Sequence, residues 1–120
     1  MSTLKVISAV RNCLHYLNNG GKNGTVYMPV ELPDGNRLEM WATFQHHSKS
    51  HQSHRLMVVR GVDLNYVTDR LLPLIRTNGR DVRVVEGWDR SRLLFEFGFN
   101  FDLLGPNQPL ADPTCVLVLQ

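Results

Sequence analysis

Two runs of alternating apolar residues around a short polar segment constrain this chain more than any other feature. The stretch TVYMPVELPDGNRLEMWATFQ has Asp34, Gly35 and Asn36 between the two runs. Alternation with a period of two is typical of half-buried β-strands, and an Asp-Gly-Asn segment favours a tight reversal. The sequence predicts an antiparallel hairpin whose inner face carries Val26, Met28, Val30 and Leu32 on one strand and Leu38, Met40, Ala42 and Phe44 on the other.

The register of this hairpin follows from its faces, since directly opposed residues must share one. Pairing Leu32 with Leu38 leaves residues 34–36 as a three-residue loop. Pro29 has no N–H to donate to a neighbouring strand. We therefore expect the first strand of the hairpin to lie at an edge of its sheet.

The outer face of the hairpin combines aromatic and charged residues. In the expected register Glu31 opposes Glu39, which is unfavourable unless a cation such as Arg37 or Arg60 lies nearby or both carboxylates extend into water. Exposed aromatic side chains beside charges are typical of protein-binding surfaces. Alternatively, the C-terminal segment 103–110 folds over them. The predicted partner-binding residues are Tyr27, Glu31, Glu39 and Trp41.

Helical periodicity appears twice. Residues 3–18 carry a stripe of Leu4, Ile7, Val10, Leu14 and Leu17, which ends at Asn-Asn-Gly-Gly. Asp63 is placed to cap a second helix that runs to about Thr77 and is closed by Asn78 and Gly79. Pro73 lies inside that helix and should kink or split it.

Four further segments have the composition of strands. Residues 55–62 are apolar on both faces, which indicates an interior strand, and residues 81–87, 93–101 and 115–119 follow. The alternation in LLFEFGFNF, residues 93–101, is strict. The order α-β-β-β-α-β-β-β predicts a single α+β domain over residues 1–120, with two helices on one face of a mainly antiparallel sheet.

Four of the five histidines lie in HHSKSHQSHR, residues 46–55. His47, His51 and His54 would share one face if this stretch were helical, and imidazole is a common zinc ligand. The stretch contains no Asp, Glu or Cys, and its serines favour solvent. We expect a flexible polar connection between strands, with a metal site at these three histidines as the less favoured alternative.

A nucleic-acid interface is a further hypothesis. The formal net charge is +2 and the basic residues are interleaved with acidic ones, so the electrostatic field is weak. Basic residues after the third strand and around the end of the second helix are the candidates for phosphate contact. They are Lys49, Arg55, Arg60, Arg80 and Arg83.

Cellular location and function complete the expectations. The two cysteines, Cys13 and Cys115, lack the spacing of a redox or zinc motif and predict buried, reduced thiols. The N-terminus lacks the apolar core of a signal peptide, and no apolar run is long enough to span a bilayer, so we expect a cytoplasmic protein that does not bind membranes. No motif specifies a reaction or a cofactor. The sequence favours a non-enzymatic module that binds another protein, as an adaptor, chaperone-like subunit or inhibitor; nucleic-acid binding, a histidine-ligated metalloenzyme and a homodimer stay open.

Overall fold

The computed structural model describes residues 4–18, 23–47, 49, 51–86, 91, 95 and 113–120. Its elements, in chain order, are helix α1 (Leu4–Asn18), strands β1 (Gly24–Glu31), β2 (Arg37–His47) and β3 (Gln52–Arg60), a second helical segment, and strands β4 (Val82–Val85) and β5 (Cys115–Leu119). The second helical segment consists of α2 (Leu64–Tyr66), a π-helical stretch (Val67–Leu71) and α3 (Leu72–Thr77). The predicted α+β class is confirmed.

The five strands form one antiparallel sheet in the order β1-β2-β3-β5-β4. The strand nearest the C-terminus therefore lies between β3 and β4, and all five of its residues are buried. Strand β1 is at an edge and β3 is in the interior, as predicted. The sheet has two apolar faces.

Both helical segments pack on one face, which we call the helix face; it includes Met40, Met57 and Leu117. The opposite face, which we call the far face, has a second apolar cluster that includes Trp41, Val58 and Val116. Placement of the helices on one side confirms that prediction.

The buried side of α1 is rotated from the one predicted. Leu4 is 84% exposed, and Ile7 is only half-buried. At 100° per residue, the spacing of Val6, Val10 and Cys13 is as regular as that of the predicted stripe. Periodicity alone could not show which of these two stripes is buried. The buried residues of α1 are Val6, Ala9, Val10, Cys13, Leu14 and Leu17.

The hairpin has the predicted faces but a register that differs by two residues. Val30 pairs with Leu38 and Glu31 with Arg37, so Glu31 does not oppose Glu39. The Glu31 carboxylate instead lies 3.0 Å from the Arg37 guanidinium Nε. This register replaces a like-charge pair with an opposite-charge pair.

The hydrogen bonds of the connecting loop hold that register. The Leu32 N–H donates to the Asn36 carbonyl at 2.8 Å, and the Gly35 N–H donates to the Leu32 carbonyl at 3.0 Å. The Asp34 carboxylate accepts the Asn36 N–H at 2.9 Å. The Leu32–Asn36 bond closes a loop of residues 33–35, which has the predicted length of three but lies one position earlier, with Gly35 at a φ of +89° in its last position.

The second helical segment begins and ends as predicted. The Asp63 carboxylate accepts the Tyr66 N–H at 2.8 Å as an N-cap, and Gly79 follows the helix end with a φ of +81°. The π-helical stretch lies just before Pro73, whose ring would otherwise crowd the carbonyl of Asp69. The predicted kink thus takes the form of a local widening of the helix.

The predicted strand over residues 93–101 lies outside the described residues, except at Phe95. Phe95 is helical and 86% exposed, so the prediction of a buried strand position is wrong there. Strict alternation is typical of a strand, since residues two apart lie about 200° around a helix, so the pattern does not account for the helical backbone at Phe95.

The two cysteines are buried and free. Burial raises the pKa of the Cys13 thiol to about 12; burial, with a smaller effect of the Glu86 charge, raises that of Cys115 to about 12. Both thiols therefore stay protonated at neutral pH and contribute as small apolar side chains of the core.

Two glycines with nearly the same positive φ provide a matched test of the fold. Gly35 and Gly61 have φ values of +89° and +91°, but a Cβ at Gly61 would lie 1.8 Å from the Arg37 carbonyl oxygen, whereas one at Gly35 would meet nothing within 4 Å. Gly35→Ala should lower the free energy of unfolding by only ~1–2 kcal/mol, the conformational cost. Gly61→Ala should lower it by a further ~1–3 kcal/mol, because overpacking adds to that cost. Urea denaturation of both variants measures the difference, and equal losses would show that β2 and the residues after β3 are not in close contact.

Candidate functional site

Trp41 lies in the core of the far face. Its side chain is 1% exposed, and it packs with Leu56, Val58 and Val116. The Tyr27 ring lies beside it on β1, with the ring centroids 5.0 Å apart. The expectation that Trp41 is exposed on an outer face is therefore wrong. The far face carries aliphatic residues of β3 and β5 and is buried like the helix face. The alternative prediction, that residues 103–110 fold over it, lies outside the described residues.

Three polar residues of this face, on β1, β2 and β3, form a connected line. The Tyr27 hydroxyl donates to Glu39 Oε2 at 2.5 Å, and Glu39 Oε1 lies 3.6 Å from Arg60 Nε. Burial, and then the hydrogen bond to Glu39, raises the pKa of Tyr27. Arg60 is thus the counter-ion of Glu39, one of the two arginines considered for this role. Glu39 is engaged within the molecule.

The outer edge of β1 is open among the described residues. In an antiparallel pair of strands, every second residue forms backbone hydrogen bonds to the neighbouring strand. Because Leu32 bonds to Asn36, the residues of β1 that bond to β2 are Val26, Met28 and Val30. The residues between them direct their backbone polar groups away from β2. Pro29 is one of these, so its missing N–H costs the sheet no bond.

A groove runs along this edge, between β1 and the first half of α1. It encloses about 510 Å³ and is lined mainly by apolar groups, including Leu4, Ala9, Met28 and Val30. A neighbouring cavity of about 430 Å³ shares Leu4 with it and extends to Leu32 and Pro33. A sheet edge with free backbone groups thus lies beside a recess for apolar side chains.

The sequence indicates some residues of this site and not others. Glu31 lines the groove and Tyr27 lies on β1, and both belong to the predicted partner-binding set. Leu4 also lines the groove, although the predicted stripe of α1 places it in the core. The signal in the sequence was Pro29, which places β1 at an edge. The groove itself depends on how α1 is rotated against that strand.

The five basic residues proposed for nucleic acid do not form one surface. Arg55 donates to the Leu17 carbonyl at 3.0 Å and lies over the Phe44 ring. Arg80 donates to the side chain of Asn18, so both residues lie at the C-terminal end of α1, where cations are favourable.

The other three candidates are separate from that pair. Arg60 pairs with Glu39, Lys49 is exposed in the turn between β2 and β3, and Arg83 opposes Val118 on β4. Arg55, Arg60 and Arg80 thus contribute to the fold.

The histidine-rich stretch belongs largely to the sheet. β2 extends through His47 and β3 begins at Gln52, so the prediction of a flexible polar connection is wrong for all but the turn. His46 Nδ1 lies 2.8 Å from Ser53 Oγ across the two strands. The helical spacing of His47, His51 and His54 does not apply to a hairpin. Among the described residues, no group of three His, Cys, Asp or Glu side chains is placed to hold a metal ion.

Comparison of the chain with models of known protein families, with curated proteins and with solved structures finds no match. The helices that the structure describes are all too short or too polar to cross a membrane.

The burial of Trp41 leads to a stability prediction. Trp41→Ala should lower the free energy of unfolding by ~3–5 kcal/mol, because truncating a buried aromatic ring leaves a cavity. Leu4→Ala, at an exposed apolar residue, should change it by less than ~0.5 kcal/mol. Urea denaturation followed by circular dichroism measures both. An unchanged denaturation midpoint for Trp41→Ala would mean that the tryptophan is a surface residue.

Proposed function

We propose that the protein acts by binding another protein, and that the binding site is the open edge of β1 together with the groove beside α1. The observation that carries the proposal is the position of the groove along the outer edge of β1, where no described residue pairs with the strand. Backbone groups of such an edge bind an extended segment through main-chain hydrogen bonds, and an adjacent recess selects its side chains. An adaptor, a chaperone-like subunit or an inhibitor would use a site of this kind.

Strand β1 is the better of the two sheet edges for this purpose. It has eight residues, whereas β4, at the opposite edge, has four. A longer edge offers more backbone groups to an added strand. Pro29 is one of the residues whose backbone groups point outward, and it can accept a hydrogen bond but cannot donate one. This missing donor limits indiscriminate pairing and favours partners that do not need an N–H at this position.

The proposed site keeps part of the predicted partner-binding set. Tyr27 and Glu31 are on β1 itself, and Glu31 borders the groove. Glu39 is half-buried against Tyr27 and Arg60. Trp41 is buried, so its contribution to binding is to hold β1 and β2 in place.

Substitution at the mouth of the groove tests the proposal. Leu4→Asp should leave the fold intact, since the residue is 84% exposed, and should reduce capture of the partner by about tenfold or more, through loss of an apolar contact. The measurement is quantitative mass spectrometry of proteins retained by untagged protein immobilised on beads, from cells of the native host.

Phe95→Asp is the matched control, because Phe95 is a large apolar residue of equal exposure that does not line the groove. It should retain the proteins that Leu4→Asp loses. Identical capture by the wild type and Leu4→Asp would remove this edge as the binding site.

A further inference from the structure

We infer that the occupant of the groove is an extended segment of another protein that carries apolar and acidic side chains on the same face. This inference rests on the proposed function and adds the chemistry of the partner. Three features of the described residues support it: the ladder positions of β1, the apolar lining of the groove and the charge of α1.

The backbone of β1 determines the direction of the contact. Thr25, Tyr27 and Glu31 direct both N–H and carbonyl outward, whereas Pro29 directs only a carbonyl. An added strand therefore places every second backbone N–H and carbonyl against β1. The N–H groups between them point away and are not needed for binding.

The groove determines which side chains the added strand presents to α1. Alternate residues of a strand point to the same face of a sheet. On the helix face, these side chains would reach Leu4, Ala9, Met28 and Val30. Apolar residues at two successive helix-face positions fit this lining.

The charge of α1 makes the flanking residues of the partner acidic. The helix LKVISAVRNCLHYLN contains Lys5 and Arg11 and no Asp or Glu. Lys5 lines the groove, and Arg11 lies one turn beyond Ser8, another lining residue. Neither is within ion-pair distance of a carboxylate among the described residues, and the nearby Glu31 is already paired with Arg37. Carboxylates of a partner would meet positive charge that no described residue neutralises.

The same charge disfavours a second copy of this chain as the occupant. Pairing two β1 edges about a two-fold axis would bring two α1 helices to the same side of a continuous sheet. Each helix would carry Lys5 and Arg11 toward the other, and α1 has no acidic residue to offset them, while Glu31 of β1 is paired with Arg37. Like charges at such a junction oppose association.

Synthetic peptides of about nine residues, the length of an ordinary strand, provide the test. In the acidic peptide threonine alternates with two central valines and two outer glutamates; its twin has lysine in place of glutamate. Fluorescence anisotropy should show that wild-type protein binds the acidic peptide about tenfold or more tightly than the twin, and that added salt reduces the difference. Lys5→Glu combined with Arg11→Glu should reverse the preference. Lys49→Glu, a charge reversal at an exposed lysine outside the groove, should leave it unchanged.

Backbone methylation tests strand addition separately. Methyl groups can be placed either on the odd-numbered or on the even-numbered backbone nitrogens of the acidic peptide. One of these two methylated peptides should not bind, because it lacks the N–H groups that donate to β1. The other should bind like the parent peptide. Equal binding of the two methylated peptides would overturn strand addition.

Other outcomes separate this inference from the proposed function. Equal binding of the acidic and lysine peptides, with loss of both in Leu4→Asp, would overturn the acidic partner and leave the edge site in place. No binding of either peptide by the wild type would overturn the inference, while the capture experiment decides the proposed function. A dimer in sedimentation that Leu4→Asp dissociates would instead make a second copy the occupant.

Discussion

The pairing of β5 with β3 is the interaction on which the rest of the structure depends. Val116 and Val118 complete the far face, and Cys115, Leu117 and Leu119 complete the helix face. β5 also pairs with β4, so it joins β4 to the rest of the sheet and leaves β1 and β4 as the two edge strands. As an interior strand, β5 contributes apolar residues to both faces of the sheet. This arrangement surrounds Trp41 with apolar residues and leaves the outer edge of β1 open among the described residues.

Much of the fold could be predicted from local chemistry. The cap at Asp63, the edge position implied by Pro29 and the interior position of β3 each follow from a property of a few neighbouring residues. The hairpin register could not be predicted in this way, because a loop of three residues fits both registers, and the turn at Asp34 and the Glu31–Arg37 pair favour residues 33–35 over 34–36. The two registers bury the same side chains, so hydrophobic alternation does not distinguish them.

The candidate site depends more strongly on tertiary structure. Glu31 and the edge strand were indicated by the sequence, but the groove arises from the rotation of α1, which turns Leu4 outward. The alternation of β2 places Trp41 on the same face as Glu39 and Thr43, which predicts a surface residue. Its apolar neighbours Leu56, Val58 and Val116 come from β3 and β5, which are distant in sequence. The edge strand can thus be predicted from residue type and spacing in the sequence, whereas the groove beside it can be recognised only in the packed structure.

The proposed binding site requires that the outer edge of β1 be open. Amide hydrogen exchange measured by NMR tests it most directly, since exchange reports which N–H groups are hydrogen-bonded. The amides of Val26, Met28 and Val30 bond to β2 and should exchange on the order of 100-fold or more slowly than those of Thr25, Tyr27 and Glu31. Equal protection of both sets would show that another segment covers the edge, and would contradict the binding site proposed for this protein.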